Sequence, residues 1–560
     1  MRDNVGVTSD AHPTTPDATT PRPEDPAFGT NGFDDPADAP RSDDLARLDR
    51  IRTAFADAGF TVDGVEARLG DAAAAALHRD LLAPAEFALG SDADALAALI
   101  RVYLLAQPVA AASLPAVQEQ LDARLLEPVA GKLEQHGAAV VRARVDIRPY
   151  AIADGDTALD LWVASDLGGV QLAADRPLRR DHVVGIGPAT TNLAQLAPRT
   201  PIARALDLGV GMGVQTMHLV AHADHVVATD ISARAIEFAR FNLVFNAAAL
   251  GLDPERLEER VSLRIGDLLE PVAGERFDLV VSNPPFVITP RRADESASDQ
   301  YTYRDGGRPG DRLVEDLIRR LGDHLAPGGL ALMLGNWEIH DEDAGWHSRL
   351  EEWADPQIDL WVVQRERATP IEYADMWLKD AQENRELTSW REQFARYLDD
   401  FAARGVESVG LGMLMLHSPE VDGPAVRRFE TLEHQLEQPL GARIHDTAIA
   451  DDWLRERSDA DLLDETFVVA PDVTEERHAL RGAEHPSAML LRQGGGFRRT
   501  FPETTELAAF VSVCDGELTA GQILAALSAL LEIEDAPLRA SVLRDVRDLV
   551  AFGFLIPRWM

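Results

Sequence analysis

Lysine and cysteine are almost missing from this sequence. Of 560 residues, only Lys132 and Lys379 are lysines, and Cys514 is the single cysteine. One cysteine excludes an intrachain disulfide and a cysteine-rich metal site. Positively charged residues are outnumbered: the chain has 54 Lys and Arg but 94 Asp and Glu, which gives a formal net charge of −40. So acidic a chain repels phosphate backbones at long range, which disfavours loose electrostatic binding to nucleic acid.

Long apolar runs are absent as well. The longest uncharged stretch, residues 102–118, is interrupted by Pro108 and Pro115 and is too polar to span a bilayer. No apolar stretch follows Met1, as a secretory signal would require. We therefore expect a cytoplasmic protein without a membrane segment, and the sequence offers no evident cluster of metal ligands.

The length and the shifts in composition predict several domains. Residues 1–42 are rich in Asp, Pro, Thr and Ala and are expected to form a disordered acidic leader. Residues 43–150 show helical spacing and then a strand at 140–147, which favours a winged-helix-like α+β domain. Residues 151–200 are interpreted as a β-rich connector with a helix on the cofactor side. Residues 419–560 are expected to form a C-terminal α+β domain that ends in a second winged-helix-like unit.

Strands and helices alternate between residues 201 and 418, which predicts a doubly wound, mostly parallel α/β sheet of the Rossmann type. Several of the strands are continuous apolar runs, as is typical of strands covered on both faces. We expect seven strands, at residues 203–208, 225–229, 261–265, 277–282, 329–334, 358–364 and 406–416. Ligands bind such sheets at the carboxyl edge, so the residues that follow the strands are the candidate site.

The first three strands each end in residues suited to a small cofactor. The first leads into a glycine loop, whose glycines permit a tight turn and let backbone N–H groups approach a ligand. Asp230 ends the second strand, where a carboxylate can accept both hydroxyls of an adenosine ribose, although it could instead cap the next helix. Asp267 follows the third strand and could bind the adenine amine. The predicted cofactor site is Asp207, Gly209, Gly211, Gly213, Asp230, Asp267 and Leu268.

The fourth strand ends in the sequence Asn283-Pro284-Pro285-Phe286. Neither proline has an N–H group, so we expect the Pro284 carbonyl to be free to face a substrate. That carbonyl and the Asn283 side-chain oxygen can each accept one hydrogen of an NH2 group, while Phe286 can stack on the flat group attached to it. We predict that Asn283, Pro284 and Phe286 are the catalytic residues and that Pro285 contacts the substrate.

A loop with several arginines and tyrosines follows this motif. It is close to neutral in charge, unlike the rest of the chain, because Asp and Glu residues balance its arginines. One interpretation is a substrate clamp for phosphates or for a peptide, with Tyr303 and Arg304 in contact with the substrate. The other is a solvated lid held by internal ion pairs.

Together these motifs closely resemble those of class I S-adenosylmethionine-dependent methyltransferases, over residues 185–418. The similarity is greatest to the amino-methylating branch, which contains the release-factor glutamine methyltransferases and enzymes that methylate amino groups of RNA and DNA bases. The resemblance implies S-adenosylmethionine as cofactor, with Asp230 on the ribose, Asp267 on the adenine, and Gly209 and Gly211 beside the methionine part. The glutamine enzymes usually carry tyrosine at the position of Phe286, and phenylalanine is commoner among base methylators.

The expected function is therefore methyl transfer to a planar NH2 nitrogen of a macromolecule. The acidity of the chain favours a glutamine amide in a protein. Phe286 and the winged-helix-like modules favour the exocyclic amine of an RNA or DNA base instead. A second alternative is a non-catalytic module that senses S-adenosylmethionine, although such a sensor has no need for the motif at residues 283–286.

Overall fold

A computed structural model describes residues 38–129, 139–154, 157–172, 178–291, 303–380 and 387–558. In this part of the chain no helix is both long and apolar enough to cross a membrane. The N-terminal helices are α1 (Leu45–Asp57), α2 (Val62–Leu69), α3 (Asp71–Leu77), α4 (Ala83–Leu89), α5 (Ala95–Leu99, extended by a π-helical turn at Ile100–Leu104) and α6 (Val117–Asp122). Asp44 begins α1 by accepting the N–H of Arg47. The predicted helical spacing is confirmed there, since Leu48, Ile51 and Phe55 are all buried.

Two small sheets follow these helices. The strands β1 (Val109–Ala110), β2 (Leu126–Pro128) and β3 (Val140–Ala143) pair in the order β1–β3–β2. The strands β4 (Asp146–Asp154) and β5 (Thr157–Ser165) form an antiparallel hairpin. The prediction of one strand over residues 140–147 is wrong, because a bend at residues 144–145 separates β3 from β4. The strand β4 also runs across residue 150, where we predicted a domain boundary.

The predicted end of the disordered leader, at residue 42, is too far along the chain. Its residues 1–37 lie outside the described residues, but residues 38–42 are placed against the folded chain. Ala39 is buried in the apolar core, and the carboxylate of Asp38 pairs with both Arg144 and Arg179. The short apolar and acidic side chains of this segment therefore contribute to packing from residue 38 onward.

The central sheet is mostly parallel, as predicted. Its strands are β6 (Ile202–Leu208), β7 (Ala223–Asp230), β8 (Val261–Ile265), β9 (Phe277–Ser282), β10 (Leu325–Ile339), β11 (Asp359–Ala368), β12 (Ser408–His417) and β13 (Arg427–Thr431). They lie in the order β13–β11–β12–β10–β9–β6–β7–β8, and only β12 runs antiparallel to its neighbours. Each of the seven predicted strands is present, although β10 extends beyond the predicted residues 329–334 at both ends.

The predicted count of seven strands is wrong, because β13 adds an eighth at the edge of the sheet beside β11. It also lies beyond residue 418, where we expected the sheet to end. The strand is short and polar, with Phe429 as its one large apolar residue. An edge strand need not be apolar on both faces, so the apolar runs that identify the inner strands do not mark it.

Helices cover both faces of the sheet: α7 (Pro188–Leu196), α8 (Val214–Leu219), α9 (Ala233–Phe245), α10 (Ala247–Leu250), α11 (Arg312–Leu321), α12 (Ser348–Trp353), α13 (Pro370–Asp380) and α14 (Leu387–Arg404). The N-terminal helices share a core with α9, where Phe55 packs edge-on against Trp162 and Phe245. Two buried asparagines of α9 and its cap, Asn242 and Asn246, hydrogen-bond to backbone groups of β5 at 2.8–2.9 Å. These hydrogen bonds satisfy backbone N–H and C=O groups of β5 that would otherwise be buried and unpaired, and they fix the β4–β5 hairpin on the central sheet.

The C-terminal part contains α15 (Gly441–Arg455), α16 (Asp459–Asp464), β14 (Thr466–Val469), β15 (Val473–His478), β16 (Ala488–Gln493), β17 (Thr500–Glu503), α17 (Thr505–Val511), β18 (Asp515–Thr519), α18 (Ala520–Leu531), α19 (Asp535–Ala551) and β19 (Leu555–Pro557). Its strands form two sheets, β18–β14–β19 and β15–β16–β17. The helix α15 is tied to the central sheet by Arg455, which pairs with Asp359 at 2.6 Å and with Asp452 at 2.5 Å. His417 also contacts both carboxylates.

Candidate active site

The glycine loop after β6 turns sharply and faces open space. Gly209, Gly211 and Gly213 all have positive φ, between +52° and +91°, which favours glycine at these positions. The N–H groups of Gly209 and Val210 both donate to the carbonyl of Thr229 at the end of β7, at 2.9 and 2.8 Å. A Cβ atom on Gly209 or Gly211 would meet no atom within 4 Å, whereas one on Gly213 would lie 3.3 Å from Ala239. The first two glycines therefore border space that a ligand can fill, and the third permits α9 to pack closely.

Asp207 does not face that space. It is buried, and one carboxylate oxygen accepts the N–H of Thr216 at 2.9 Å and its hydroxyl at 2.6 Å. Burial raises the pKa of Asp207 to about 7, and the two hydrogen bonds from Thr216 only partly oppose this. The structure thus places Asp207 as a brace between the strand β6 and the helix α8, behind the predicted cofactor contacts.

Asp230 stands at the carboxyl end of β7 and holds the loop from the other side. Its carboxylate accepts the N–H of Gly211 at 2.9 Å and that of Ser232 at 2.9 Å. Ser232, not Asp230, is the residue that caps α9, through the N–H of Ala235. Asp230 is only partly buried, so its carboxylate both shapes the glycine loop and borders the open space in front of it.

The third predicted contact lies on the neighbouring strand end. The N–H of Gly266 donates to the carbonyl of Asp230 at 3.0 Å, which brings the residues after β8 next to the end of β7. Asp267 is partly exposed, and its carboxylate makes no hydrogen bond to the residues that the structure describes. Leu268 has a φ of +47°, unusual for a residue with a side chain. The structure therefore brings Gly211, Asp230 and Asp267 to one edge of the sheet, as predicted from the strand order.

Asn283 lies beside this cofactor edge. Ser282 pairs with Leu208 across β9 and β6, and its hydroxyl donates to the Leu208 carbonyl at 2.8 Å. The next residue on each strand is Asn283 or Gly209, so the asparagine stands next to the glycine loop. Its side chain is exposed and forms no hydrogen bond within the described chain. An amide at this position is available to a substrate that lies across the loop.

The prediction that the Pro284 carbonyl is free is wrong. It accepts the N–H of Phe286 at 2.7 Å, which closes a tight turn of three residues. A carbonyl oxygen has two lone pairs, so one remains for a second donor. The turn fixes the direction of that oxygen relative to the backbone of Asn283, because Asn283 directly precedes Pro284 in the chain.

The ring of Phe286 packs against an aromatic residue of α13. Its centroid lies 6.4 Å from that of Trp377, with the two planes at 74°. Two rings that hold a flat group between them must be parallel and about 7 Å apart, twice the normal stacking distance. Phe286 and Trp377 form a corner instead, so a flat acceptor group can stack on one ring only.

Tyr373 of α13 fixes the segment that follows the motif, and the sequence gave no signal of this role. Its hydroxyl accepts the backbone N–H of Ile288 at 2.9 Å and the side-chain N–H of Asn336 at 2.8 Å. All three residues are buried. Burial raises the pKa of Tyr373 well above its usual value, so the hydroxyl stays neutral. Asn336 thus supports this segment through the Tyr373 hydroxyl, and its neighbour Trp337 lies in the core.

We predict that Tyr373→Phe lowers kcat about tenfold and leaves the cofactor affinity unchanged. The substitution removes the acceptor of two buried donors, which costs about 1–3 kcal/mol and loosens the segment that carries Asn283. Steady-state kinetics and calorimetric titration with S-adenosylhomocysteine measure the two quantities. Tyr397→Phe, which removes a hydroxyl from the same apolar cluster, is the control. An unchanged kcat in Tyr373→Phe contradicts the positioning role.

The predicted substrate contacts Arg304 and Tyr303 are placed differently from a clamp. Arg304 is 4% exposed, its guanidinium pairs with Asp305 at 3.1 Å, and it donates to the Trp377 carbonyl at 3.3 Å. It therefore joins the loop to α13 and does not present its charge to solvent. Tyr303 is partly exposed, with its ring edge-on to His182 at 5.5 Å.

Pro285 is held by close backbone packing. A Cβ atom on Gly306 would lie 2.7 Å from the Pro285 carbonyl, so only glycine permits this approach. Of the other loop residues proposed as a clamp, 292–302 lie outside the described residues. Arg308 pairs with Asp316 on the helix α11, which agrees with a loop that is held by internal ion pairs.

Comparison with known families gives three matches along the chain. The family model described as "Methyltransferase small domain" matches residues 185–299, which contain the glycine loop and the segment 283–286. Models described as "Domain of unknown function (DUF7059)" and "Domain of unknown function (DUF7782)" match residues 57–144 and 449–557. The three matches follow the N-terminal module, the catalytic sheet and the C-terminal module in turn.

Several curated relatives are similar over the catalytic sheet. The chain is 34% identical to the ribosomal protein uL3 glutamine methyltransferase of Bradyrhizobium diazoefficiens, over 26% of this chain and 44% of that protein. It is 31% identical to the release factor glutamine methyltransferase of Koribacter versatilis, over 30% and 59%. It is also 31% identical to that of Deinococcus radiodurans, over 38% and 77%. The chain thus spans about half the length of the first two of these relatives.

Among solved structures, a 16S rRNA methyltransferase of T. Thermophilus in complex with AdoMet and guanosine is 17% identical, with a TM-score of 0.21. The alignment covers 39% of this chain and 53% of that one. A ribosomal protein L11 methylase from Lactobacillus delbrueckii subsp. bulgaricus is 22% identical, with a TM-score of 0.21, over 32% and 72%.

Proposed function

The chain belongs to the release-factor glutamine methyltransferase family of S-adenosylmethionine-dependent enzymes, and from this we propose that it methylates the side-chain amide nitrogen of a glutamine in a protein. The observation that carries the proposal is the exposed Asn283 beside the glycine loop, whose side chain makes no hydrogen bond to the residues that the structure describes. An asparagine that served only to terminate β9 would be expected to use its amide within the chain. Here the amide is left for a second molecule.

The residues at the carboxyl edge fit S-adenosylmethionine. Open space borders Gly209 and Gly211, and the carboxylates of Asp230 and Asp267 stand on the next two strand ends. Asp230 would hold the ribose hydroxyls, Asp267 the adenine amine, and the glycines the methionine part. When bound, this cofactor supplies an electrophilic methyl group on a sulfonium ion.

The chain's own residues orient the acceptor. The amide nitrogen of glutamine is a weak nucleophile because its lone pair is delocalised into the carbonyl. The Asn283 oxygen and the remaining lone pair of the Pro284 carbonyl each accept one N–H of the acceptor, which directs the nitrogen lone pair towards the cofactor side. Orientation of this kind can contribute about 7–11 kcal/mol to lowering the barrier. The turn closed by the Phe286 N–H fixes the Pro284 carbonyl before the substrate arrives.

The corner between Phe286 and Trp377 supports an amide over a base. A glutamine amide is small and needs one stacking face, whereas the two rings leave no parallel slot for a purine or pyrimidine. The net charge of −40 points the same way, because it repels nucleic acid. The base remains the alternative acceptor because of one observation, the phenylalanine at position 286 in place of tyrosine.

We propose further that the flanking modules are winged-helix-like and dock a macromolecular partner in the cytoplasm. The support is their arrangement: short three-stranded sheets in the orders β1–β3–β2 and β18–β14–β19, each packed against small helices. On α19, Arg547 is paired with Asp459, and Asp545 and Asp548 lie among the arginines. This helix is not the basic surface that reads DNA, which favours a protein partner.

A filter assay with radiolabelled methyl donor tests the acceptor. Incubation of the enzyme with cell extract should label material that protease releases and nuclease does not. Mass spectrometry of the labelled protein should then place one added methyl group on a glutamine. Label that is lost only on nuclease treatment would show that the acceptor is a base.

We predict that Asp230→Ala weakens cofactor binding about 10- to 100-fold. The variant loses the proposed ribose contact and also the brace to Gly211 N–H, a combined effect of about 1–3 kcal/mol. Calorimetric titration with S-adenosylhomocysteine measures the affinity. Asp224→Ala, at the exposed amino end of the same strand, is the control and should bind as the wild type does. Equal affinities in the two variants would remove Asp230 from the cofactor site.

A further inference from the structure

A cleft of about 320 Å³ lies between the central sheet and the C-terminal module. One wall is formed by the end of β13 and the residues that follow it, and the other by the start of β17. The strand β13 is the outermost of its sheet, and β17 is the outermost of the sheet β15–β16–β17. The cleft is therefore bounded by two strand edges that have no strand partner within the described chain. Its lining residues are Glu430, Thr431, Leu432, His434, Arg499, Thr500, Phe501, Phe552 and Phe554.

The unpaired backbone groups can be assigned from the ladder of β13. Val426 accepts the N–H of Leu360 from β11, and Leu432 donates to Gln364 of the same strand. In a parallel pair every second residue directs both of its backbone groups to one neighbour. The even-numbered residues of β13 therefore bond to β11, and the groups of Phe429 and Thr431 point away from it. Thr431 is exposed, so its N–H and C=O are accessible.

The same reasoning applies to the opposite wall. Gln493 donates to the carbonyl of Arg499 at 3.0 Å, so Arg499 and Phe501 direct their groups to β16. Thr500 points away from β16, and it is exposed. Pro502, the next outward residue, has no N–H, which limits pairing along β17. An added strand would thus pair mainly with β13 and lie against the start of β17.

The floor of the cleft is aromatic, and the charges beneath it are already used. Phe501 packs edge-on against the buried Phe554 at 6.1 Å. The carboxylate of Glu430 accepts hydrogen bonds from Trp361 and from Arg499 at 2.7–2.8 Å. Glu430 and Arg499 therefore neutralise each other at the base, which suits an apolar side chain from a bound peptide.

The rim carries an exposed carboxylate. Glu433 is exposed, and it lies between two residues that line the cleft. A basic side chain on the occupant would pair with the Glu433 carboxylate. The charge of −40 on the whole chain likewise attracts basic proteins.

The cleft opens at the same edge of the sheet as the candidate active site. The strands β13, β11 and β10 run parallel to β9, so the end of β13 and Asn283 both lie at carboxyl ends. Four strand spacings separate β13 from β9, a distance of roughly 19 Å at about 4.8 Å per spacing. An extended chain needs at least about six residues to cover that distance.

We propose that this cleft is a docking site for the substrate protein, which adds an extended segment as a strand to β13. The segment carries an apolar side chain over Phe501 and a basic side chain towards Glu433, and lies at least about six residues from the methylated glutamine. This inference rests on the proposed function, because it assumes a protein acceptor. In strand addition of this kind, main-chain hydrogen bonds provide the affinity and pockets for the side chains provide the selectivity.

Thr431→Pro tests the proposal with little effect on the fold. Proline removes the outward N–H but leaves the even-numbered residues bonded to β11, and it is tolerated on strand edges. Thr431→Ala keeps the N–H and is the matched control. The probes are a purified bacterial release factor and a fragment of about five residues around its acceptor glutamine, which is too short to reach the cleft. Methylation kinetics are measured for both variants and the wild type on each probe.

The expected result is a rise of about tenfold or more in KM for the intact release factor in Thr431→Pro, with Thr431→Ala unchanged. All three proteins should act equally on the fragment. Hydrogen exchange of residues 427–432 should slow when the intact factor is added to the wild type and not to Thr431→Pro.

Three results overturn the inference. Equal kinetics of Thr431→Pro and the wild type on the intact factor would show that the cleft does not dock the substrate. A wild-type dimer by light scattering that is lost in Thr431→Pro would show that a second copy of the chain occupies the edge. A wild type that methylates no protein, but does methylate nucleic acid, would overturn the proposed function itself, and the docking site with it.

Discussion

Asn283→Ala is expected to lower kcat by about 10²–10³-fold while the affinity for S-adenosylhomocysteine stays within about twofold. The loss is of the size seen when one preorganised polar contact to a reacting group is removed. The side chain is exposed and makes no hydrogen bond within the described chain, so alanine should not disturb the fold. The proposed cofactor contacts Gly209, Gly211 and Asp230 lie on other strand ends and should be unaffected.

Asn283→Asp is the matched variant for this residue. It keeps an oxygen in the place where the asparagine oxygen accepts an N–H, so it should retain more activity than Asn283→Ala. Steady-state kinetics with saturating methyl donor give kcat, and calorimetric titration gives the affinity. A protein that only senses the cofactor would show no turnover in any form, and a kcat unchanged in Asn283→Ala would remove the asparagine from the reaction.

The inner part of the fold is predictable because its signals are local. The strands β6 to β9 each end at or just before a glycine, an acidic residue or an asparagine, and β10 to β12 contain apolar runs, so these signals appear within a few residues. The strand β13 has no such signal. Its charged residues Arg428 and Glu430 are neutralised by Asp451 and Arg499, at 2.9 and 2.7 Å, and these partners lie 23 and 69 residues further along the chain. Only the folded chain shows that a charged strand can be half buried there.

In the candidate site, likewise, some features could be predicted from the sequence and others could not. The order of strand ends predicts that Gly211, Asp230 and Asp267 lie together, and the structure places them at one edge. The spacing of residues does not reveal which side chains turn inward. Arg304 was predicted to contact the substrate, but α13 covers it and Asp305 neutralises it. The turn that occupies the Pro284 carbonyl depends on backbone angles that the residue types alone do not determine.

Arg455→Met is expected to lower the free energy of unfolding by about 3–5 kcal/mol. Arg455 is 3% exposed and lies between two carboxylates, those of Asp359 on β11 and Asp452 on its own helix. Methionine keeps the bulk of the stem and removes the charge, so two acidic groups are left next to each other in a poorly hydrated place. Removal of one partner of a buried ion pair has a cost of this size because the remaining charge is uncompensated.

The pH dependence of this variant distinguishes a charge effect from a packing effect. Burial tends to raise the pKa of Asp359, but hydrogen bonds from His417, from the Val426 N–H and from Arg455 outweigh burial and hold that pKa below its ordinary value. The wild type therefore keeps this contribution to stability at neutral pH and loses it only as the pH falls through the lowered pKa. Without Arg455 the pKa of Asp359 rises, so the deficit of the variant should shrink as the pH falls and this carboxyl takes up a proton.

Arg443→Met is the matched control on the same helix. Its ion pair with Asp472, at 2.8 Å, joins side chains that are 34% and 22% exposed, so its loss should cost at most about 1 kcal/mol. Thermal unfolding of both variants and the wild type at pH 5 and pH 8 measures the change in stability. Hydrogen exchange of the α15 amides shows whether this helix is the part that is destabilised. Arg455 holds the C-terminal module, which carries β17, against the central sheet, which carries β13. Loss of this ion pair should disturb the cleft between β13 and β17, so Arg455→Met should also weaken methylation of the intact release factor without affecting the short fragment. A deficit of the same size at both pH values would mean that packing, and not charge, holds α15 to the sheet.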